Sequence, residues 1–225
     1  ADGNGGNDVA NLIGTSAQDR IDIDQDSAEV SGGRSDASID RFERTNVINT
    51  DAEDLISLRG SDGDETLHSR DNSVILVSEK FSNYVSNLSN LTVNASQGND
   101  VAYLLGSAGD DHLQHTADAT SLENADGKIE IEGYDLVVAR STGGNDTAEL
   151  TGSDQREAYF ANIDTVQSTA RNGDRVRAIG FAETNIDGGG GNDTIAFRGS
   201  AQDELLRLNF DNVEFETTLQ MLRMA

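Results

Sequence analysis

The stretch Gly188-Gly-Gly-Gly-Asn-Asp-Thr-Ile-Ala-Phe-Arg-Gly-Ser-Ala-Gln-Asp-Glu-Leu-Leu206 combines a glycine-rich turn, an Asn-Asp pair, an alternating run and a Gly-Ser pair. Versions of this stretch recur along the whole chain of 225 residues. The aspartate of the pair, which we call the head aspartate, recurs after 46, 46, 46 and 47 residues, at Asp8, Asp54, Asp100, Asp146 and Asp193. A near-constant period of this length is typical of a repeat architecture.

Apolar residues alternate with polar ones after each head aspartate, which is the period of a β-strand. The sixth position of each repeat is occupied by Leu12, Leu58, Leu104, Leu150 and Phe197. Two residues before it stand Ala10, Ile56, Ala102, Ala148 and Ile195. Each run ends in Gly followed by Ser or Thr, which predicts a turn in which the glycine adopts positive φ.

These columns predict an all-β protein, specifically a parallel β-solenoid (β-helix), right-handed by analogy. About six short strands per repeat predict roughly two coils of about 23 residues in each repeat of 46. The prediction treats residues 1–225 as one solenoid domain. Its repeats cover approximately 7–52, 53–98, 99–144, 145–191 and, in part, 192–225.

The chain is strongly acidic, with 41 Asp and Glu residues, 16 Lys and Arg residues and a formal net charge of −25. Such a surface repels nucleic acids and anionic lipids and attracts cations, so we expect neither a nucleic-acid partner nor membrane insertion. Low hydrophobicity with high charge is also typical of disorder, but the regular apolar columns argue against it. Acidity together with the repeat type predicts an extracellular or cell-surface location.

Carboxylates offer candidate calcium ligands. The head aspartates could bind Ca²⁺ together with turn carbonyls; alternatively, each could cap a turn by accepting backbone hydrogen bonds. The densest acidic clusters contain further candidates, at Asp62, Asp64, Asp110 and Asp111. A second acid column is predicted to form a solvated face, and it contains Asp19, Glu65, Asp111, Glu157 and Glu204.

No catalytic residue is predicted. An acid beside a basic residue could serve polysaccharide cleavage, and four arginines lie near acids in sequence, although ordinary ion pairing explains them: Arg20, Arg59, Arg156 and Arg198. Glycans are candidate partners, because Asn-x-Ser/Thr patterns occur at Asn87, Asn90, Asn94, Asn145 and Asn192.

The segment Gly188-Gly-Gly-Gly-Asn-Asp-Thr-Ile-Ala196 matches the fixed positions of the nonapeptide G-G-x-G-x-D-x-U-x. It resembles the repeats-in-toxin family, and that resemblance implies a parallel β-roll with Ca²⁺ bound in its turns. The complete repeat includes Gly-Asn-Asp-Thr-Ala-x-Leu-x-Gly-Ser and a later Gly133-Tyr134 or Gly180-Phe181. It is similar to repeats of very large secreted bacterial surface proteins, which implies a structural role at a cell surface.

Three hypotheses follow. The first is a non-catalytic solenoid of an extracellular fibre, filament or adhesin, which associates end to end or continues into neighbouring repeats of a longer array. The second is a calcium-dependent module that folds on secretion, because Ca²⁺ would relieve repulsion among the acids. The third is a carbohydrate-active β-helix that resembles a polysaccharide lyase.

Overall fold

The computed structural model describes residues 1–3, 6–15, 18–32, 36–51, 53–200, 205–208, 213–216 and 221–224. Glu204 lies outside these ranges, so the last member of the second acid column has no structural description. Within the described ranges there is no helix, and therefore none long and apolar enough to cross a membrane.

The protein is an all-β parallel solenoid of about five turns, as the repeat pattern predicts. Its residues separate into two compact units. The first contains Ala1–Tyr103 and Asp126–Tyr134, and the second contains Leu104–Ala125 and Asp135–Ala225.

The first unit contains two sheets. Their strands are β1 (Val9–Ile13), β2 (Arg20–Ile23), β3 (Ser27–Ser31), β4 (Ala37–Asp40), β5 (Arg44–Ile48), β6 (Leu55–Arg59), β7 (Thr66–Arg70), β8 (Ser73–Val77), β9 (Ser82–Ser86), β10 (Asn90–Asn94), the Val101–Tyr103 part of β11 (Val101–Leu105), and β14 (Gly127–Glu132). Sheet 1 has the order β1-β5-β9-β8-β7-β11, and sheet 2 has the order β14-β10-β6-β2-β3-β4.

The second unit also contains two sheets. Its strands are β12 (His112–His115), β13 (Thr120–Asn124), β15 (Leu136–Arg140), β16 (Thr147–Thr151), β17 (Ala158–Ala161), β18 (Thr165–Thr169), β19 (Arg175–Ile179), β20 (Glu183–Asp187), β21 (Thr194–Phe197), β22 (Leu205–Leu208), β23 (Val213–Glu216) and β24 (Met221–Met224). Sheet 1′ has the order β15-β19-β18-β17-β21, and sheet 2′ has the order β22-β23-β24-β20-β16-β12-β13.

Parallel neighbours stand closer in sequence than one repeat. In the first unit, Val9 pairs with Arg44 and Leu55 pairs with Asn90, so the partners are 35 residues apart. The remainder of each repeat forms antiparallel pairs, as in the meanders β2-β3-β4, β7-β8-β9 and β17-β18-β19. Each repeat therefore contributes strands that pair in both directions.

The predicted subdivision of the repeat is wrong. Each complete repeat contains five strands rather than six, and the chain makes about five turns, so one repeat corresponds to about one turn rather than two coils. Period-2 alternation identifies strands but not their direction of pairing, which is why a meander was counted as part of a coil. The handedness of the solenoid stays a prediction.

The odd number of strands has a geometric consequence. Strands alternate between the two sheets except within a meander, so equivalent strands of successive repeats lie on opposite sheets. In the first unit, β1 opens its repeat on sheet 1, whereas β6 opens the next repeat on sheet 2. The meander β2–β4 likewise lies on sheet 2, and its equivalent β7–β9 lies on sheet 1.

The apolar columns form the core. Leu12, Leu58, Leu104 and Leu150 are buried, together with the alanine or isoleucine two residues before each. Because strands such as β1, β6 and β16 bury every second side chain, their sheets have one buried face and one outward face.

Leu58→Ala should lower the free energy of unfolding by about 2–5 kcal/mol, because it opens a cavity in the core. Leu58 is 1% exposed on β6, whereas Leu55 on the same strand is 52% exposed and points outward. Leu55→Ala is the matched control and should change the free energy by less than about 0.5 kcal/mol. Urea unfolding measures both, and equal losses would contradict the assigned strand faces.

Candidate functional site: a ladder of buried carboxylates

Each head aspartate from the second repeat onward joins two neighbouring turns. Its Oδ1 accepts a hydrogen bond from the backbone N–H of an acidic residue in the preceding turn. The four bonds are Asp19 to Asp54 (2.7 Å), Glu65 to Asp100 (2.7 Å), Asp111 to Asp146 (2.7 Å) and Glu157 to Asp193 (2.8 Å). Asp54, Asp100 and Asp146 are at most 1% exposed. The capping alternative therefore describes these contacts, with the donor in another turn rather than in the same one.

We call this contact between a head aspartate and the N–H of an acid in the preceding turn a joint. A backbone hydrogen bond follows directly after each joint. The carbonyl oxygen of Asp19 accepts the N–H of Leu55, and the carbonyl of Glu65 accepts the N–H of Val101, both at 3.0 Å. The corresponding bonds of the second unit are Thr147 to Asp111 (2.9 Å) and Thr194 to Glu157 (3.1 Å). Each joint immediately precedes a pair of parallel strands, so it sets the register in which that pair begins.

The second acid column is buried, so the prediction of a solvated face is wrong. Asp19, Glu65, Asp111 and Glu157 are exposed by 1%, 1%, 2% and 4%. Their carboxylates accept hydrogen bonds from the Ser or Thr four residues earlier: Thr15 N–H to Asp19 Oδ2 (2.6 Å), Ser61 Oγ to Glu65, Ser107 N–H to Asp111 Oδ2 (2.8 Å) and Ser153 Oγ to Glu157. Burial follows because these acids cap the Gly-Ser/Thr turns.

Three glycines of those turns, Gly60, Gly106 and Gly152, are needed for space rather than for positive φ. A Cβ on Gly14 would meet no atom nearer than 3.4 Å. Gly14, Gly60, Gly106 and Gly152 all lie outside the positive-φ region, which corrects the predicted reason for this column. A Cβ on residue 106 would stand 2.5 Å from Asp111 Oδ2 and 3.2 Å from the carbonyl oxygen of Arg140. The buried carboxylate therefore packs directly on the glycine Cα.

The two acid columns meet in pairs. Asp54 Oδ2 and Asp19 Oδ2 lie 3.5 Å and 3.6 Å from the point where a Cβ of Gly14 would stand. Among the described residues, no hydrogen-bond partner reaches Asp54 Oδ2, and the same holds for Asp111 Oδ1, Asp146 Oδ2 and Glu157 Oε2. Three of the pairs therefore hold at least one carboxylate oxygen that has no hydrogen-bond partner among the described residues and could take a proton or a cation.

This environment favours the neutral acid. Burial raises the pKa of Asp54, and the charge of Asp19 acts in the same direction, although the Asp19 N–H opposes it. Burial likewise raises the pKa of Asp146; the nearby charges of Asp111 and Asp110 add to this effect, and hydrogen bonds from Ser141 and Asp111 oppose it. The physical cause is the loss of water around a charge that faces another carboxylate.

The remaining calcium candidates lie elsewhere. Asp62, Asp64 and Asp110 are exposed, and Asp8 is half-buried. Asp64 Oδ1 accepts the Asn99 N–H at 2.9 Å, and Asp110 Oδ1 accepts the Asn145 N–H at 2.7 Å, so these two link turns at the surface. No group of three or more metal-ligating side chains occurs within the described ranges.

Sequence reasoning missed Asp19, Glu65 and Glu157 as members of the site. The fixed spacing of four residues from a Ser or Thr to an acid is the signal that could have found them, because it is the spacing of a capped turn. Of the four arginines considered for catalysis, Arg20 pairs with Asp22 at 2.7 Å on the surface. The five Asn-x-Ser/Thr asparagines are all exposed.

Comparison with protein-family models finds no match for the chain, and comparison with curated proteins finds no similar sequence.

Asp146→Asn should stabilise the protein by about 1 kcal/mol at pH 8 in a chelating buffer, since it removes a buried charge and keeps the acceptor for the Asp111 N–H. Because its folded-state pKa is raised, the native carboxyl contributes most to the free energy of unfolding below its unfolded pKa of about 3.9. This contribution is lost as pH rises through the folded-state pKa. The advantage of the variant should therefore shrink between pH 8 and pH 4. Urea unfolding across this range measures it.

Asp62→Asn is the control, because Asp62 is exposed, and its effect should stay flat with pH. Burial lowers the pKa of His115 to about 4, which removes stability from every variant as pH falls from about 6.5. Because His115 has the same effect in the native chain and in the variant, it cancels in the difference between their free energies of unfolding. A pH-independent Asp146→Asn effect would contradict the raised carboxyl pKa.

Proposed function

We propose that this chain is a non-catalytic structural solenoid of an extracellular surface fibre, filament or adhesin. Its role is to lengthen a fibre, because it associates end to end or continues into neighbouring repeats of a longer array. The proposal includes neither nucleic-acid binding nor membrane insertion, because the charge of −25 opposes both. Glycans attached at the exposed Asn-x-Ser/Thr sites are proposed surface partners.

One observation carries the proposal: the same joint links one turn to the next in four successive repeats. A chain built from repeated interfaces gains stability from each repeat and each contact between neighbours, so its length can change without a new design. A structural spacer uses this property directly. An enzyme, in contrast, needs one place that differs from the others.

The test lengthens the chain. A variant in which residues 99–144 are duplicated after residue 144 adds one repeat of 46 residues in phase. In a chelating buffer it should keep the far-UV circular dichroism signal per residue, because the inserted repeat can make the same joints. Its urea m-value should rise by about a fifth, in proportion to the added length.

A duplicate of residues 99–133, inserted at the same point, is the matched control. It adds 35 residues, the separation of parallel neighbours, but not a whole repeat. Every following strand would then stand out of phase, so this variant should lose β-signal and unfold at lower urea. If both insertions behave alike, the repeat is not an extendable unit and the structural proposal fails.

Calcium-dependent stabilisation is a second candidate, and the open oxygens of the buried carboxylate pairs favour it. Asp111 Oδ1 and Asp146 Oδ2 are both buried without a hydrogen-bond partner among the described residues, and Ca²⁺ prefers carboxylate and carbonyl oxygens. A divalent cation between two buried carboxylates would remove their mutual repulsion. The candidate sites are then the pairs Asp19/Asp54, Asp111/Asp146 and Glu157/Asp193.

Millimolar Ca²⁺ should raise the melting temperature of the native chain by several degrees relative to EGTA, since a ligand at 100 times its Kd adds about 2.7 kcal/mol. Asp146→Asn should reduce this rise, because it alters a buried pair, whereas Asp62→Asn should leave it intact. Mg²⁺ at the same concentration controls for ionic strength. An unchanged native melting temperature, or loss of the effect in Asp62→Asn alone, would contradict calcium binding at the buried pairs.

A further inference from the structure

The two sheets of the first unit differ in the charge of their outward faces. Outward positions are those that alternate with the buried ones along each strand. On sheet 2 they include five acids, Asp22, Glu29, Asp40, Glu130 and Glu132, and three basic residues, Arg20, Arg59 and Lys128. On sheet 1, the outward positions of β1, β5, β7, β8, β9 and Val101–Tyr103 form what we call the acid-free face: they include no Asp or Glu, and their charged residues are Arg44 and Arg70.

The repeat alone does not produce this difference. Equivalent strands of successive repeats lie on opposite sheets, so an invariant repeat would place the same outward residues on both. Acids of the first meander are instead replaced in the second, 46 residues later. The corresponding residues are Asp22 and His68, Glu29 and Ile75, and Asp40 and Ser86.

The second unit shows the same contrast. Outward positions of β15, β17, β18, β19 and β21 on sheet 1′ include no acid and three arginines, Arg140, Arg175 and Arg177. Those of β12, β13, β16 and β20 on sheet 2′ include Glu123, Glu149, Glu183 and Asp187. The alternation between odd and even repeats is therefore present in both units.

Exposed apolar side chains gather on the acid-free face. Val9, Ile13, Ile48, Val77, Tyr84 and Tyr103 are 36–66% exposed and all belong to it. On the described part of sheet 2 in this unit, Leu55 alone is a comparably exposed large apolar residue. Depletion of acids with enrichment of aromatic and other apolar side chains is typical of the core of a protein–protein interface.

We propose that the acid-free face of the first unit docks on the same face of a second copy of this chain. Two chains of charge −25 repel each other, and the repulsion is weakest where no carboxylate lies between them. Apposing these faces removes the exposed apolar side chains from water without burying an unpaired acid. The contact is isologous, so it closes as a two-fold dimer.

Other occupants fit less well. Docking on the acidic sheet of a second copy would place Ile13, Ile48 and Tyr84 against carboxylates, and those carboxylates would lose their hydration. A sugar polymer would need open aromatic ring faces, but the His68 and Tyr103 rings stack on each other, with centroids 5.1 Å apart and planes 11° apart. Each ring therefore already covers one face of the other.

The size of the face sets the expected affinity. Six strands spaced by about 4.8 Å, each contributing about 16 Å of length, cover roughly 400 Å² per copy. Stable interfaces bury about 800 Å² per partner, so this dimer should be weak, with a Kd in the micromolar range or above. The measurement must therefore reach high protein concentration.

Sedimentation equilibrium of the full chain in EGTA, from about 10 µM to 1 mM, tests the proposal. The average mass should rise from the monomer value of 24.0 kDa toward twice that value. Raising NaCl from 0.05 to 0.5 M should tighten association several-fold, because salt screens the repulsion between acidic monomers. If the two copies were held together by opposite charges, added salt would weaken their association instead.

Tyr84→Glu should raise the dimer Kd at least tenfold, while Tyr84→Phe should leave it nearly unchanged. Leu55→Glu is the matched control, since it adds the same charge to an exposed apolar position on the opposite sheet. Circular dichroism should confirm that all three variants fold. A native chain that stays monomeric at 1 mM overturns the proposal, as does association that survives Tyr84→Glu, that Leu55→Glu abolishes, or that salt weakens. None of these outcomes changes the repeat-insertion result, so the structural function is tested separately.

Discussion

The register of this solenoid depends on a hydrogen bond from a backbone N–H to a buried aspartate in the next turn. A carboxylate acceptor strengthens that bond, but its burial costs free energy that a surface contact would not. Asp54, Asp100 and Asp146 each stand just before a parallel strand, opposite the acid that precedes its neighbour. The joint therefore aligns two strands before their own backbone ladder begins. At Gly60, Gly106 and Gly152 the adjoining turn requires glycine, because a side chain there would collide with the second carboxylate.

Much of the fold could be predicted because strand periodicity and the column of head aspartates are local signals. The pairing could not, because parallel neighbours lie 35 to 39 residues apart while the repeat measures 46. The span between two parallel neighbours also contains an antiparallel meander, such as β2-β3-β4 between β1 and β5, whose strands have the same alternation as the parallel ones. Asp19 and Glu65 were misjudged for a related reason: acids are exposed by default, and only the neighbouring turn supplies the contacts that bury them.

Because each repeat has five strands, equivalent positions of successive repeats lie alternately on the two sheets. The residues that every repeat shares can therefore be distinguished from the residues that differ between odd and even repeats. Columns repeated every 46 residues build the core and the joints, so they serve every turn equally. Differences between odd and even repeats act on the outward faces alone. Asp22 and His68 occupy the same position of the repeat, yet they belong to opposite sheets. The sheets can therefore differ in chemistry without any change to the architecture.

The acids of this chain therefore occupy two different kinds of position. Some form the buried ladder, where their charge is a cost that a proton or a cation could relieve, and others make one sheet of each unit acidic. The opposite sheet of each unit has no acid at its outward strand positions, and in the first unit it carries most of the exposed large apolar side chains. A solenoid with joints at every turn needs no such asymmetry to fold, because both outward faces lie outside the core. The asymmetry is therefore available for contacts with other molecules, and charge repulsion opposes the approach of a second acidic chain least at the acid-free face.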